Sequence, residues 1–226
     1  MQRFLDIVLS FTAIIFLFPV LIPILLLLRL TGEGEILYLQ PRIGRCGKVF
    51  NLYKFATMKK NSPAIGAGPI TVHDDPRVLR VGKLLRKSKI NELPQLLNIL
   101  FGQMSVVGPR PMTMATFGTY DEGVQNIIKT VRPGLSGIGS VVFRNEESLL
   151  KGALEPMVFY KEVISPYKGA LEVWFVNNNS FVNYLKIIYF TFIVILRSDT
   201  KKFWRSFPSL PNPPKKLEDP LGFHTK

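Results

Sequence analysis

The stretch "KSKINELPQLLNILFGQMSVVGPRP", residues 87–111, decides how this chain is read. It holds one carboxylate, Glu92, beside an amide, Asn91, with Arg86, Lys87 and Lys89 close before it. The pattern predicts a helix. Asn91 is placed to cap it, Pro94 falls in the first turn where no N–H is needed, and Leu93, Leu96, Leu97 and Leu100 form an apolar face. Gly102 is placed to close it. Arg110 then stands between Pro109 and Pro111, so its backbone is stiff and its guanidinium is aimed at little entropic cost, as bidentate phosphate recognition favours. An acid at a helix N-terminus is stabilised by the macrodipole by about 0.3–1 kcal/mol. It is equally a ligand type for Mg²⁺, which takes one or two carboxylates together with substrate phosphates. Residue type and position leave both readings of Glu92 open.

Where such a site would work depends on the rest of the chain. The 226 residues suit one domain with attachments. Hydrophobic residues make up 47%, and 29 Lys and Arg against 16 Asp and Glu give a net charge of +13. That balance favours nucleic acid, an anionic membrane surface or phosphate-rich ligands. The lone Cys46 excludes an intramolecular disulfide framework and points to a reducing, cytosolic setting.

From Ile7 to Leu28 no residue is charged, about 22 residues or roughly 33 Å of straight helix. The run is too long for a signal-peptide core, and no small-residue cleavage site follows it. It is expected to stay in the bilayer. Pro19 and Pro23 interrupt it near the middle, each removing an N–H and crowding the preceding turn. Two outcomes follow: a kinked span, or a helix that bends at Pro19 and returns to the side it entered from. The distribution of positive charge does not separate them, because the basic domain after Leu30 is cytoplasmic in both.

Further along, residues 36–40 and 48–55 read as a β-hairpin joined by "PRIGRCG", and "GRCGK" has the length of its turn, not of a phosphate loop. "NSPAIGAGPITVHDDP" is too rich in Gly and Pro for regular structure, and its length suggests a functional loop. Asp75 and Pro76 have the pattern of a helix start, with Asp75 as cap and the helix running to about Lys87. Helices are expected at 120–129 and 156–174. The apolar run at 184–196 is too short to span a bilayer and is read as interfacial, with a core element as the alternative. The proline-rich tail from 198 is expected to lack structure. The chain thus divides into 1–30, a membrane helix; 31–180, the main domain; 181–197, an interfacial segment; and 198–226, a basic tail.

No internal repeat, P-loop, dinucleotide fingerprint or zinc-spaced Cys/His set is present. His73 and His224 are too isolated for a triad, and Asp74 with Asp75 is a weaker carboxylate pair. Cations in so basic a chain are mostly solvated surface. Lys54, Arg86, Lys87, Lys89 and Arg110 are nonetheless the set that could share one anion.

The order "RIGRCGKVFNLYKFATM", "DDPRVLRVGKLLRK", "NELPQLLNILFGQMSVVGPRP" and "VRPGLSG", after an apolar N-terminus with a central proline, resembles the bacterial sugar transferase family. These are monotopic phosphoglycosyl transferases that load polyprenyl phosphate. The resemblance covers roughly residues 1–140. It implies an α+β fold, mostly helical and membrane-associated, with a small β-hairpin and a re-entrant membrane helix broken at Pro19 and Pro23. It implies an active site on the cytoplasmic face of the inner membrane, with Mg²⁺ as cofactor. The implied partners are a nucleotide-sugar donor, usually UDP-linked, and undecaprenyl phosphate, with a second copy or other glycosyltransferases as further partners and no nucleic acid. It places Lys54 and Arg86 along the site, Glu92 on Mg²⁺, and Arg110 with Pro111 at the donor.

The chain departs from that pattern at several positions. Asn91 stands where the family has its nucleophilic aspartate, and an amide cannot form an aspartyl phosphate. Lys89 replaces the residue that caps the dyad helix, Phe18 replaces the serine before the membrane proline, Ala56 replaces an arginine, and Met112 replaces a glutamate. "GIGSVVFRNEE" differs from the usual continuation after the Pro-Gly motif. The expected function is sugar-1-phosphate transfer with Glu92, Asn91, Lys54 and Arg86 at the reaction centre. The alternative is an impaired homologue that binds donor or lipid and organises a partner enzyme.

Overall fold

A computed structural model describes residues 1–31, 33–62, 75–150, 155–197 and 201–223. His73, Asp74, His224 and most of the glycine- and proline-rich loop lie outside the described residues. The architecture is mostly helical, with two small two-stranded sheets.

Helix α1, Gln2–Leu30, is continuous for 29 residues and carries both prolines within it. It lies against the domain along its whole length. Arg3 donates to the carbonyls of Ile99 and Leu100 at 2.6 and 2.9 Å. Oδ1 of Asp6 accepts from Ser105 Oγ, the Val106 N–H and the Tyr184 hydroxyl, each at 2.9 Å. Further along, Ala13, Ile14 and Leu17 pack on Leu52, Leu96 and Met104, and Ile24 and Leu28 pack on Phe55 and Leu85. The outward side exposes Phe11, Phe16, Phe18, Val20 and Leu26, and both prolines are exposed with it.

Strands β1, Leu37–Ile43, and β2, Val49–Phe55, pair antiparallel from Leu37↔Phe55 to Ile43↔Val49. The first strand is longer than the sequence predicts, because a two-stranded sheet leaves Pro41 an open edge where its missing N–H costs nothing. The "GRCGK" segment is the hairpin turn, with Cys46 and Gly47 at φ 57 and 75.

Helix α2 is Arg80–Lys87, starting four residues later than expected. Asp75 does not cap it. Its carboxylate instead takes the Arg77 fork, with Nε at 2.8 Å and Nη2 at 2.6 Å. Nor does Asn91 cap a helix. Lys89 turns left-handed at φ 60, the chain tightens into a 3₁₀ turn at Ile90–Glu92, and α3, Gln95–Leu100, begins after Pro94. The tight turn buries Asn91, and its Oδ1 has no partner among the described residues. The delayed start also rotates the buried face. Leu96 and Ile99 are inside with Gln95 and Asn98, whereas Leu97 is exposed. Asn98 ties α3 to β2 by donating to the Asn51 carbonyl at 2.8 Å and accepting from the Tyr53 N–H at 3.0 Å. Gly102, at φ 79, closes α3 as predicted.

Strand β3, Ser105–Val107, runs parallel to β4, Gly134–Ser136. Between them lie α4, Met114–Phe117, and α5, Glu122–Ile128. Then come α6, Ile138–Val142, and α7, Glu146–Leu149. Helix α8, Pro156–Phe159, continues through a π turn into α9, Ser165–Asn177.

Helix α10, Phe181–Arg197, spans the apolar run and has one face in the core, as the core alternative expects. Tyr184, Ile187, Phe190 and Val194 are buried at helical spacing, while Phe181, Val182, Leu185, Tyr189 and Phe192 are exposed on the other side. The tail is folded, contrary to expectation. Helices α11, Lys201–Ser206, and α12, Lys215–Glu218, bury Phe203, Trp204, Phe207, Leu217 and Phe223 in the main core. Enough aromatic surface is present to offset the ordering entropy that proline content alone would not.

Candidate active site

The β-hairpin, the 3₁₀ turn at Ile90–Glu92, the Pro-Arg-Pro segment and helices α6, α7 and α9 surround a cleft of about 1650 Å³. Lys54, Arg86, Asn91, Glu92, Arg110 and Pro111 all line it. Pro19 and Pro23 do not, since they sit on the outward side of α1.

Glu92 is the anchor. Its Oε1 accepts from Arg110 Nη2 at 2.9 Å and lies 4.0 Å from Lys54 Nζ. Burial pushes the Glu92 carboxyl up, but Arg110, Lys54 and Lys89 together outweigh it and hold the group at about 2, so it is ionised. Burial lowers Lys54 to about 7 against the opposing pull of Glu92. Glu92 in turn raises Arg110.

The Pro-Arg-Pro segment is fixed from both sides. The Arg110 N–H points at Glu172 Oε1 at 3.4 Å, Arg42 donates to the Pro111 carbonyl at 3.1 Å, and the Ile43 N–H donates to the Met112 carbonyl at 3.0 Å. Burial, then Arg110, lowers Arg42 to about 10.

Elsewhere in the cleft lining Lys168 Nζ contacts Glu146 Oε2 at 2.6 Å and sits 5.5 Å over the Phe143 ring and 5.8 Å over Tyr160. Behind it Glu172 is 1% exposed, and its burial pushes the carboxyl up to about 7. A Cβ at Gly139 would come within 2.4 Å of Glu172 Oε1, so a larger residue there would have to displace that carboxylate.

Sequence reasoning missed Arg42, Glu146, Lys168 and Glu172. A signal was present in one case: Lys168 and Glu172 stand four apart on the otherwise apolar "SPYKGALEVWFVN", which places two charges on one buried helix face.

Among the described residues no group of three or more His, Cys, Asp or Glu is gathered for a metal. Glu92 still suits Mg²⁺. Its closest approaches to both cations are at Oε1, and Oε2 makes no hydrogen bond among the described residues. One carboxylate oxygen together with substrate phosphates is an ordinary Mg²⁺ set. Asp75 lines the same cleft, but its two oxygens are taken by the Arg77 fork.

A family model described as bacterial sugar transferase matches residues 1–198. The chain is 33% identical over 213 residues to an uncharacterized sugar transferase of Haemophilus influenzae, covering 88% of this chain and 41% of the relative. It is 36% identical over 188 residues to the uncharacterized sugar transferase EpsL of Bacillus subtilis, covering 83% and 81%. It is 33% identical over 180 residues to the UDP-glucose:undecaprenyl-phosphate glucose-1-phosphate transferase of Escherichia coli, covering 77% and 37%. The chain thus spans less than half the length of the Haemophilus and Escherichia relatives and most of the Bacillus one.

Proposed function

The chain belongs to the bacterial sugar transferase family, and from that premise we propose that it moves a sugar-1-phosphate from a UDP-sugar to undecaprenyl phosphate. The product would initiate a surface polysaccharide or glycoconjugate. One observation carries the reading: Glu92 is held ionised between Lys54 and Arg110 in a cleft whose wall includes Leu9, Ala13 and Leu17 of the apolar α1. A charged centre for a diphosphate and an apolar entrance for a lipid thus open onto the same space.

In this mechanism Arg110 and Lys54 bind the diphosphate oxygens, and the rigid Pro-Arg-Pro backbone sets the angle of approach. A phosphate oxygen of the lipid attacks the sugar-bearing phosphorus. The bond to the nucleoside monophosphate breaks, and that group departs with the electron pair. A divalent cation held by Glu92 would neutralise charge on the transferring and leaving phosphates. The transfer is direct. Asn91 cannot be phosphorylated, Asp75 is occupied by Arg77, and the ion-paired Glu92 is a poor nucleophile. Positioning and electrostatics supply most of the help in phosphoryl transfer, so no covalent step is required.

The same reading places the protein on the cytoplasmic face of the inner membrane. Residues near both ends of α1 contact one domain, at Arg3 and Asp6 and again at Ile24 and Leu28. The helix is continuous through Pro19 and Pro23, without the break expected there. Ends that share one domain nonetheless fit a helix that stays on one side of the bilayer better than a span, which would carry them to opposite faces. The exposed apolar sides of α1 and α10 are larger than a water-facing surface normally carries.

The test is UMP release by the purified chain with a panel of UDP-sugars, short-chain polyprenyl phosphate and Mg²⁺. Acceptor-dependent release is the expected outcome. A second reading, a homologue that binds donor or lipid and organises a partner enzyme, is favoured by the amide at Asn91. Donor binding without turnover on any sugar would establish it in place of the first.

A further inference from the structure

The segment of sequence that departs from the family pattern, "GIGSVVFRNEE" at 137–147, contributes Phe143, Arg144 and Glu146 to the wall of the cleft that Glu92 also lines. We propose that this wall, centred on Glu146 and Lys168, is the subsite for the donor sugar and selects neutral or N-acylated sugars over uronic acids. The proposal rests on the transferase reading for the identity of the donor.

The pair is asymmetric in a way that decides which group meets the ligand. The Lys168 side chain is 5% exposed and that of Glu146 is 25% exposed. Lys168 is sunk between the Phe143 and Tyr160 rings, and its ammonium is spent on Glu146 Oε2. Glu146 Oε1 makes no hydrogen bond among the described residues, on a side chain that lines the cleft. The wall therefore offers a fixed carboxylate oxygen, oriented by its lysine. Such a group accepts from sugar hydroxyls or an acetamido N–H and repels a sugar carboxylate.

Its position agrees with the chemistry. The sugar is bonded to the phosphate that Arg110 is proposed to hold, and Arg110 senses the charge of Glu92 first and of Glu146 as well. The sugar thus has to lie beside Arg110, on the side away from the nucleoside. Glu146 lines the same cleft, close enough to Arg110 for its charge to act there.

The experiment compares binding of UDP, UDP-glucose and UDP-glucuronate to the full chain in lipid nanodiscs, for wild type and Glu146→Gln. Wild type should bind UDP-glucose at least tenfold more tightly than UDP-glucuronate. Glu146→Gln should bring the two within threefold while leaving UDP unchanged. Because Glu146→Gln leaves Lys168 buried without its counter-charge, Glu146→Gln/Lys168→Met is measured in parallel and should show the same loss of discrimination. Unchanged discrimination in both variants would overturn the proposal, as would equal weakening of all three ligands. UMP release is assayed separately. Turnover with unchanged discrimination would sink the subsite alone, and discrimination without turnover would sink the transferase reading alone.

Discussion

Nη2 of Arg110 lies 2.9 Å from Oε1 of Glu92, 18 residues earlier in the chain. The backbone N–H of the same arginine faces Glu172 at 3.4 Å, and the carbonyl of the next residue, Pro111, is held by Arg42. Arg110 is therefore positioned from both its side chain and its backbone, and little ordering remains to be done when a diphosphate binds.

Arg110→Lys keeps the charge and loses the planar fork. The substitution should lower kcat/KM for the donor by about 10–150-fold, the equivalent of about 1.5–3 kcal/mol for a charged hydrogen bond. Initial rates of UMP release measure it. Wild-type rates and donor affinity would reduce Arg110 to a loop-shaping residue.

Glu172 makes stability depend on pH. Burial raises its carboxyl from the ordinary 4.5 to about 7. Between those values the folded protein keeps a proton that the unfolded chain has released. Its contribution to stability is therefore full below about pH 4.5, falls as pH rises to about 7, and is level beyond. Glu172→Gln cannot ionise, so it should remove that slope and be more stable than wild type at pH 8 by about 1–3 kcal/mol. Denaturant midpoints at pH 5 and pH 8 test this, and equal pH dependence in the two proteins would contradict it.

The elements that could be read from sequence were those whose signal is local. The hairpin announced itself by a glycine-bearing turn between β-rich runs, α3 by its leucines and Gly102, and α1 by an uncharged run long enough for a bilayer. Strands β3 and β4 are three residues each and exist only because the chain brings them together, so no local pattern encodes them. Asn91 and Asp75 have the residue type and spacing of caps. Local alternatives overrode both: a left-handed Lys89 two residues before Asn91, and the Arg77 guanidinium two residues after Asp75. Lys54, Arg86, Glu92 and Arg110 were reached through charge, rigidity and resemblance. Glu146 and Lys168 were not, because they meet across 22 residues of chain.

The folded tail can be tested at Phe203, which is fully buried and stacks edge-on against Phe190 at 5.5 Å. Phe203→Ala should cost about 3–5 kcal/mol, the range for emptying an aromatic core site. A loss under 1 kcal/mol in chemical denaturation would mean that the tail does not stabilise the domain.

Arg3 and Asp6 contact the domain, so on the proposed reading, in which that domain is cytoplasmic, the N-terminus is cytoplasmic with it. A cysteine at position 3, in a Cys46→Ser background, should resist a membrane-impermeant thiol reagent in intact cells and react after lysis. Efficient labelling from the periplasm would restore a spanning helix.

Asn91 is where the family pattern and this chain part, and its geometry sharpens the test. Because its side chain makes no capping bond and its Oδ1 is buried without a partner among the described residues, Asn91→Ala should change stability by no more than about 0.5 kcal/mol, well below the loss of a true cap. Direct transfer also predicts that Asn91→Ala keeps kcat/KM within about tenfold, the scale of about 1.4 kcal/mol. Glu92→Gln, which removes the ionised oxygen between Lys54 and Arg110, should lower it by at least about 10²–10³, as loss of a preorganised electrostatic group does. Asn91→Asp is the decisive change. It places a second carboxylate next to Glu92, inside a cleft already lined by Lys54 and Arg86, and so restores a nucleophile. Mass spectrometry of quenched Asn91→Asp with donor alone should then find a sugar-phosphate adduct that the wild type never shows, while the wild type turns over without one. An inert wild type beside a working Asn91→Asp would mean that the natural chain binds donor and does not transfer it, because the one atom exchanged would have supplied the missing step.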